Sequence, residues 1–221
     1  MLENKNKFGF TLSELITALG IIGILAAMSV PALFENIHKR TAVAQLKSIV
    51  GEVQQVAQNQ MALKGTKDLS LTDFSSPDKL FNDKNFMIVK KCSASTALAD
   101  CWNVSSTKKY KNIEGKDHAN PDATVTVILK NGAILGYKAK VKYNYTGLTE
   151  NNYGVFYVDV NGQDKPNVVG RDRFAFVISQ QGNIYSGMSS GSGTVDSCKS
   201  STSGQFVCFD VVVTSGWQMN Y

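Results

Sequence analysis

Histidine, proline and cysteine are scarce in this 221-residue chain, which holds 2, 4 and 4 of them. His38 and His118 are too few, and the cysteines too widely spaced, for the usual zinc ligand sets. No C-x-x-C pair is present, so redox catalysis has no motif to rest on. Nucleophile elbow, H-E-x-x-H and P-loop are all absent, which leaves no signature for an enzyme. No solenoid-type period recurs. Charge is modest, with 23 Lys and Arg against 18 Asp and Glu for a formal +5. That excess is too weak by itself to argue for nucleic acid. A hydrophobic content of 43% excludes a wholly disordered chain.

Charge is scarcest near the N-terminus. From Phe10 to Phe34 only Glu14 is ionisable. A helix over these residues is roughly 37 Å long, enough to cross a hydrocarbon core of about 30 Å. Ahead of it lies the polar leader MLENKNKFG, whose Lys5 and Lys7 favour keeping that end in the cytoplasm. The remainder is then placed across the membrane. A secretory signal is a competing reading, with Val30-Pro31-Ala32 as the cleavage site and Leu33 as the new start. The apolar run is long for a signal, and it contains a carboxylate that is costly in lipid. The helical pattern also continues beyond the supposed cut. Val43, Leu46, Ile49, Val50, Val53, Val56, Ala57 and Met61 recur at three- and four-residue steps. One helix is therefore predicted from about Phe10 to about Leu63, apolar all round in its first half and amphipathic in its second.

Gly9-Phe10-Thr11-Leu12-Ser13-Glu14-Leu15, then Gly23-Ile24-Leu25-Ala26-Ala27 and Pro31-Ala32-Leu33, carry a family resemblance. They resemble the N-terminus of type IV pilins and type II secretion pseudopilins. Ser13 and Thr17 are more polar than the residues usual there. The resemblance implies cleavage after Gly9 by a prepilin peptidase and methylation of the new N-terminal Phe10. It implies a leader at 1–9, a transmembrane and filament-core helix at 10–34, its amphipathic continuation at 35–63, and a globular domain at 64–221. A bacterial inner-membrane protein with that domain outside the cytoplasm follows, with lipid, other pilin subunits and an inner-membrane assembly machinery as partners. The function implied is that of a filament subunit, with a secretion pseudopilin as the alternative. Pro31 removes a backbone donor, and the resemblance favours a kink there. Glu14 falls four residues after the new terminus. A carboxylate among packed apolar helices needs a cation, and the resemblance supplies the Phe10 amine of a neighbouring subunit.

Beyond Gly65 the periodicity changes. Residues 65–123 read as polar and irregular. Strands are expected at Thr124–Lys130, Ala133–Lys138, Val141–Tyr145, Gly154–Val160, Arg173–Gln180, Asn183–Ser186 and Phe206–Thr214, with a two-residue Asn131-Gly132 turn in the first hairpin. The fold class is α+β, a long N-terminal helix whose second half packs on an antiparallel sheet. Cys92, Cys101, Cys198 and Cys208 allow three pairings; local pairing, Cys92 with Cys101 and Cys198 with Cys208, would clip two polar loops. From Ser186 to Gly204, 12 of 19 residues are Ser or Gly. Such a stretch is not expected to hold itself rigid, so a clip beside it has a use.

Asp159, Asn161, Asp164 and Asp172 offer hard oxygens of the kind calcium takes, in a D-x-N-G…P-N…G-x-D stretch that resembles one in the distal half of many pilin-like proteins. The spacing is not that of an EF-hand, and Asn-Gly and Pro-Asn form ordinary turns, so turn structure is the favoured reading and no cofactor is assigned. Lys138, Lys140 and Lys142 are expected along one strand face, with Lys108, Lys109 and Lys111 around Tyr110. Minor pilins that take up DNA use basic patches, so DNA is a legitimate alternative partner. Alternating lysines also solvate a sheet face or guard its edge. His118 reads as a solvated loop residue.

Overall fold

The computed structural model describes residues 9–105, 107–141, 152–188, 191–204 and 206–221. The chain divides into two units, Met1–Lys39 and Arg40–Tyr221. One helix, α1 (Leu12–Lys64), runs from the first into the second, with Pro31 in its interior. Its apolar steps from Val43 onward explain the second unit. Val43, Leu46, Ile49, Val53, Val56 and Ala57 are buried there. Each fully buried aliphatic side chain contributes about 1.5–3 kcal/mol. Intrinsic helix preferences differ by only a few tenths to about 0.7 kcal/mol per residue, so packing rather than propensity fixes this half. Gln54 and Gln60 add polar ties, donating to Gly182 O at 2.8 Å and to Asn85 Oδ1 at 3.0 Å.

After α1 come two single 3-10 turns (Leu69–Leu71 and Asp73–Ser75) and a short helix, α2 (Pro77–Leu80). Six strands follow: β1 (Ile88–Ser93), β2 (Val125–Leu129), β3 (Ile134–Ala139), β4 (Asn152–Asp159), β5 (Arg173–Ser179) and β6 (Ile184–Tyr185). They pair in chain order, every pair antiparallel. A four-residue helix, α3 (Ala97–Asp100), interrupts the long β1–β2 connection, and α4 (Val195–Ser200) and α5 (Val207–Thr214) close the chain. The α+β architecture expected from the sequence is the one observed, with the long helix followed by the antiparallel sheet.

Register gives the sheet two different faces. Tyr137, Phe156 and Phe176 are cross-strand neighbours in β3, β4 and β5. Their rings stack, with centroids 4.4 Å apart for the first pair and 5.4 Å for the second. Phe74 closes one end of this ladder, edge-on to Tyr137 at 5.9 Å. Phe209 of α5 extends it from Phe176 at 5.3 Å. Trp217 then meets Phe209 at 6.0 Å, and Lys47 of α1 lies over the Trp217 ring at 5.7 Å. The opposite face carries Thr126, Gly136, Tyr157, Asp159 and Arg173. Trp102 covers it and donates its indole N–H to Thr126 Oγ1 at 3.0 Å. A Cβ on Gly136 would stand 2.7 Å from Ala123 Cβ and 2.9 Å from the Trp102 ring, so only glycine fits below that indole.

Several expected elements differ from the observed ones. Phe206–Thr214, read as a strand, forms helix α5. Its run of Val, Cys and Phe favours β structure on a scale of only about 1 kcal/mol, and burial overrides it. Val207 to Val212 are all buried. Strand β1 was hidden in a stretch read as irregular. It is an edge strand with a register shift between Ile88 and Lys90, and Val89, Lys90 and Lys91 are exposed, so its alternation is broken. In the β2–β3 hairpin only Gly132 takes positive φ (88°), and its N–H donates to Leu129 O at 2.9 Å. The turn is therefore centred on Lys130-Asn131, and the Asn131 side chain accepts from Ala133 N at 3.1 Å. The strand expected over Val141–Tyr145 lies outside the described residues from position 142. Val141 itself donates to Tyr153 O at 3.1 Å.

Candidate assembly site and distal loop

Thr11 precedes the first turn of α1, and Glu14 sits three residues on. The Thr11 N–H and hydroxyl both donate to Glu14 Oε2 at 2.8 Å, and the Glu14 N–H donates to Thr11 Oγ1 at 3.3 Å. This is a reciprocal capping box, which satisfies helix-end donors that would otherwise stay bare in an apolar setting. Every apolar side chain recorded from Phe10 to Ile37 is exposed, Phe10 at 89% and Leu12 at 74%. Among the described residues α1 is the helix long and apolar enough to cross a membrane, and none of its most apolar window is buried. Two of its hydroxyls are satisfied within the helix. Thr17 and Ser29 donate to the carbonyls of Ser13 and Leu25, each at 2.8 Å. Hydroxyls returned to the i−4 carbonyl in this way cost little in lipid. α1 continues on both sides of Pro31.

The four cysteines form two local bridges, Cys92–Cys101 and Cys198–Cys208. Described residues of the Ser- and Gly-rich stretch beside the second are tied by hydrogen bonds that its composition does not suggest. Thr194 and Ser197 form a capping box at the start of α4. The buried Asp210 carboxylate of α5 accepts from Gly193 N at 2.9 Å. Gly170, at φ 90°, packs against this bridge, and a Cβ there would stand 2.7 Å from Cys208 Sγ. The Tyr221 hydroxyl donates to Gly170 O at 2.7 Å, which ties the chain end to the same point.

The four oxygen-bearing candidates hold the distal loop by separate means. Asp172 accepts from Asn167 N at 2.5 Å and Val168 N at 2.6 Å, one on each oxygen. Asp159 is buried and accepts from the Tyr110 hydroxyl. Asn161 donates to Asp164 O at 3.2 Å and Lys165 O at 3.1 Å, and the Asp164 carboxylate has no part in either bond. Among the described residues no group of three or more His, Cys, Asp or Glu converges as metal ligands would. Arg173 faces Asp159 across the β4–β5 register. It is fully buried, donates to Ala119 O at 2.7 Å, and lies over the Tyr110 ring at 4.8 Å. Two carboxylates and one guanidinium therefore share this interior, a network that composition did not reveal. The signal available in the sequence was the alternation of Asp159 and Arg173 with apolar residues on adjacent strands.

Burial and mutual repulsion govern the titration here. The Asp172 carboxyl is pushed up to about 6, by burial first, against the pull of the backbone N–H groups around it. Burial and the charge of Asp172 raise Asp159 well above the usual carboxylate range. A carboxyl raised on folding contributes stability that is complete below its ordinary value near 3.8 and is lost as pH climbs through about 6. His118 acts with the opposite sign, since burial lowers its pKa. Comparison with Asp172→Asn separates the two. Chemical denaturation at pH 4.5 and 7 should show the wild type losing about 2 kcal/mol more than this variant over that interval. Equal losses would place the proton elsewhere.

The basic clusters are not arranged as expected. Lys138 pairs with Asp122, and Lys111 with Asp117. Tyr110 is buried rather than displayed between lysines. Lys140 lies past the end of β3 at φ 59°, so it does not continue a strand face. Lys142 lies outside the described residues. His118 is buried, with Nδ1 at 2.9 Å from Ala119 O, and is not a solvated loop residue.

Residues 4–30 match the family model of the prokaryotic N-terminal methylation motif. Comparisons with curated proteins and with solved structures return no significant match. The match covers the N-terminal segment and supports a likeness to precursors of the type IV pilin-like and pseudopilin kind.

Proposed function

We propose that this precursor becomes a structural subunit of a type IV pilus-like filament, cut after Gly9 and methylated at Phe10. The observation that carries the reading is the methylation motif at residues 4–30, set on a helix whose apolar first half has no protein cover. In this reading residues 1–9 are the leader, 10–34 the membrane anchor and later the filament core, 35–63 the helix that seats the globular domain, and 64–221 that domain outside the cytoplasm. Apolar side chains on all sides of a helix need lipid or other helices, and a stored subunit and an assembled one use these in turn. Prepilin peptidase, other subunits and an inner-membrane assembly machinery are the partners that follow.

Mass spectrometry of the membrane-extracted protein should find a methylated N-terminal Phe10. A chain beginning at Leu33 would overturn the anchor and install a signal peptide in its place. Electron microscopy of sheared surface fractions, with and without the protein, then tests the filament. Loss of secretion with no change in surface filaments would move the subunit to a secretion pseudopilus.

A further inference from the structure

A cleft of about 430 Å³ opens in the second unit between α1 and the segment that follows α2. Its walls include Glu52, Asp73 and Asp83 against one lysine, Lys84, with Leu63 and Met87 among its apolar lining. Leu63 and Met87 are 79% and 70% exposed, which leaves apolar surface bare at the cleft. Among the described residues, none of the three carboxylates enters an ion pair. Glu52 is half-buried, and burial raises its pKa because no cation offsets the lost hydration. The cleft thus presents excess negative charge beside bare apolar surface.

The same chain displays the complement. Phe34 and Ile37 on α1 are 57% and 49% exposed, and the exposed Arg40 follows them in the next turn. Lys39 is held by Glu35 at 3.2 Å, which leaves Arg40 as the cation of this stretch. A guanidinium can pair with a carboxylate through two parallel bonds and tolerates partial burial.

We infer that the cleft receives the Phe34–Arg40 turn of a second copy of this chain, with Arg40 among the cleft carboxylates and Phe34 and Ile37 against Leu63 and Met87. The inference rests on the filament reading and specifies which faces meet. Two different patches of one chain that join head to tail make a heterologous contact, which extends as an open filament wherever its rotation does not close into a ring. Edge-to-edge sheet pairing is the geometry it replaces. β1 carries a register shift and two exposed lysines along its edge, and β6 is two residues long.

The test uses the full-length chain in its own membrane. All four native cysteines are bridged, so introduced ones report without interference. Ile37→Cys and Met87→Cys are expressed separately and together, and oxidised. A cross-linked dimer is expected only when both are present. Dimers from either variant alone, or none from the pair, would overturn the contact. Arg40→Glu should lower sheared filament at least tenfold with normal membrane extraction and leader cleavage, and Glu52→Arg in the same chain should restore it. Undiminished filaments from Arg40→Glu would overturn the inference while leaving the filament reading intact. Failure of the wild type to form any filament would instead remove the reading on which it rests. If Glu52→Arg alone blocked filaments without a 37–87 cross-link, the cleft would belong to another partner, and the proposal would fall.

Discussion

Glu14→Ala should be expressed, inserted and cleaved like the wild type, yet yield little or no sheared filament. Within one chain the carboxylate caps α1 through Thr11, and loss of such a cap costs about 1 kcal/mol. That is too small to stop assembly. On the proposed processing, the larger effect comes from the cation that cleavage would create at Phe10. A carboxylate has several acceptor sites, so Glu14 can keep its bonds to Thr11 and still receive the amine of a neighbouring subunit. Removing one side of a buried pair leaves the other uncompensated and costs about 3–5 kcal/mol, roughly a hundred- to a few-thousand-fold in subunit addition. The globular domain should melt unchanged.

Thr11→Val is the control that separates the two jobs. It deletes the hydroxyl but leaves the carboxylate, so filaments near wild-type abundance are expected. If Thr11→Val matched the loss in Glu14→Ala, capping alone would be the function. Abundant filaments from Glu14→Ala would make the residue a snorkelling carboxylate, and failed cleavage would assign it to peptidase recognition.

The second large effect lies in the domain interior. Arg173→Met, of similar length, should destabilise the domain by about 3–5 kcal/mol near neutral pH. Arg173 is the buried cation whose charge acts on Asp159 and Asp172, and it also donates to the Ala119 carbonyl. Without it two buried carboxyls lose the nearby positive charge and must be neutral or carry an uncompensated charge. Their pKa values are already raised by burial, and loss of the guanidinium raises them further. The sign then follows from linkage. Protons bound by the folded variant and released on unfolding make stability fall as pH rises. Arg173→Met should therefore recover much of its loss on going from pH 7 to pH 5. Trp102 is buried beside Tyr110, with rings 6.4 Å apart, and its fluorescence reports the transition in denaturant. A loss independent of pH would mean that Arg173 acts only by packing.

Some elements were legible because one local signal sufficed. The three- and four-residue apolar steps of α1 do not depend on anything distant, and neither does the presence of a hairpin at Asn131-Gly132, although its turn is centred one residue earlier than expected. Where two signals conflicted, sequence reading failed. Phe206–Thr214 has strand composition, but its burial against Phe176 and its bridge to α4 are made by residues far away or across a disulfide. β1 failed for the opposite reason. As an edge strand with exposed Val89, Lys90 and Lys91, it shows little of the alternation that a half-buried strand displays.

From the sequence alone came the membrane-length helix, the N-terminal methylation motif, the α+β class and Glu14 as an assembly candidate. These depend on the order of residues over a few turns, where charge, spacing and apolarity are local quantities. Tertiary structure decided the rest. It placed α5 on the aromatic face of the sheet, spent Lys138 and Lys111 on carboxylates, turned the oxygen-rich loop toward its own backbone, and set Asp159, Asp172 and Arg173 together in the interior. Each of these depends on which distant groups meet once water is excluded. Burial fixes both the cost of a charge and the partner that offsets it, and neither is written in the neighbouring residues.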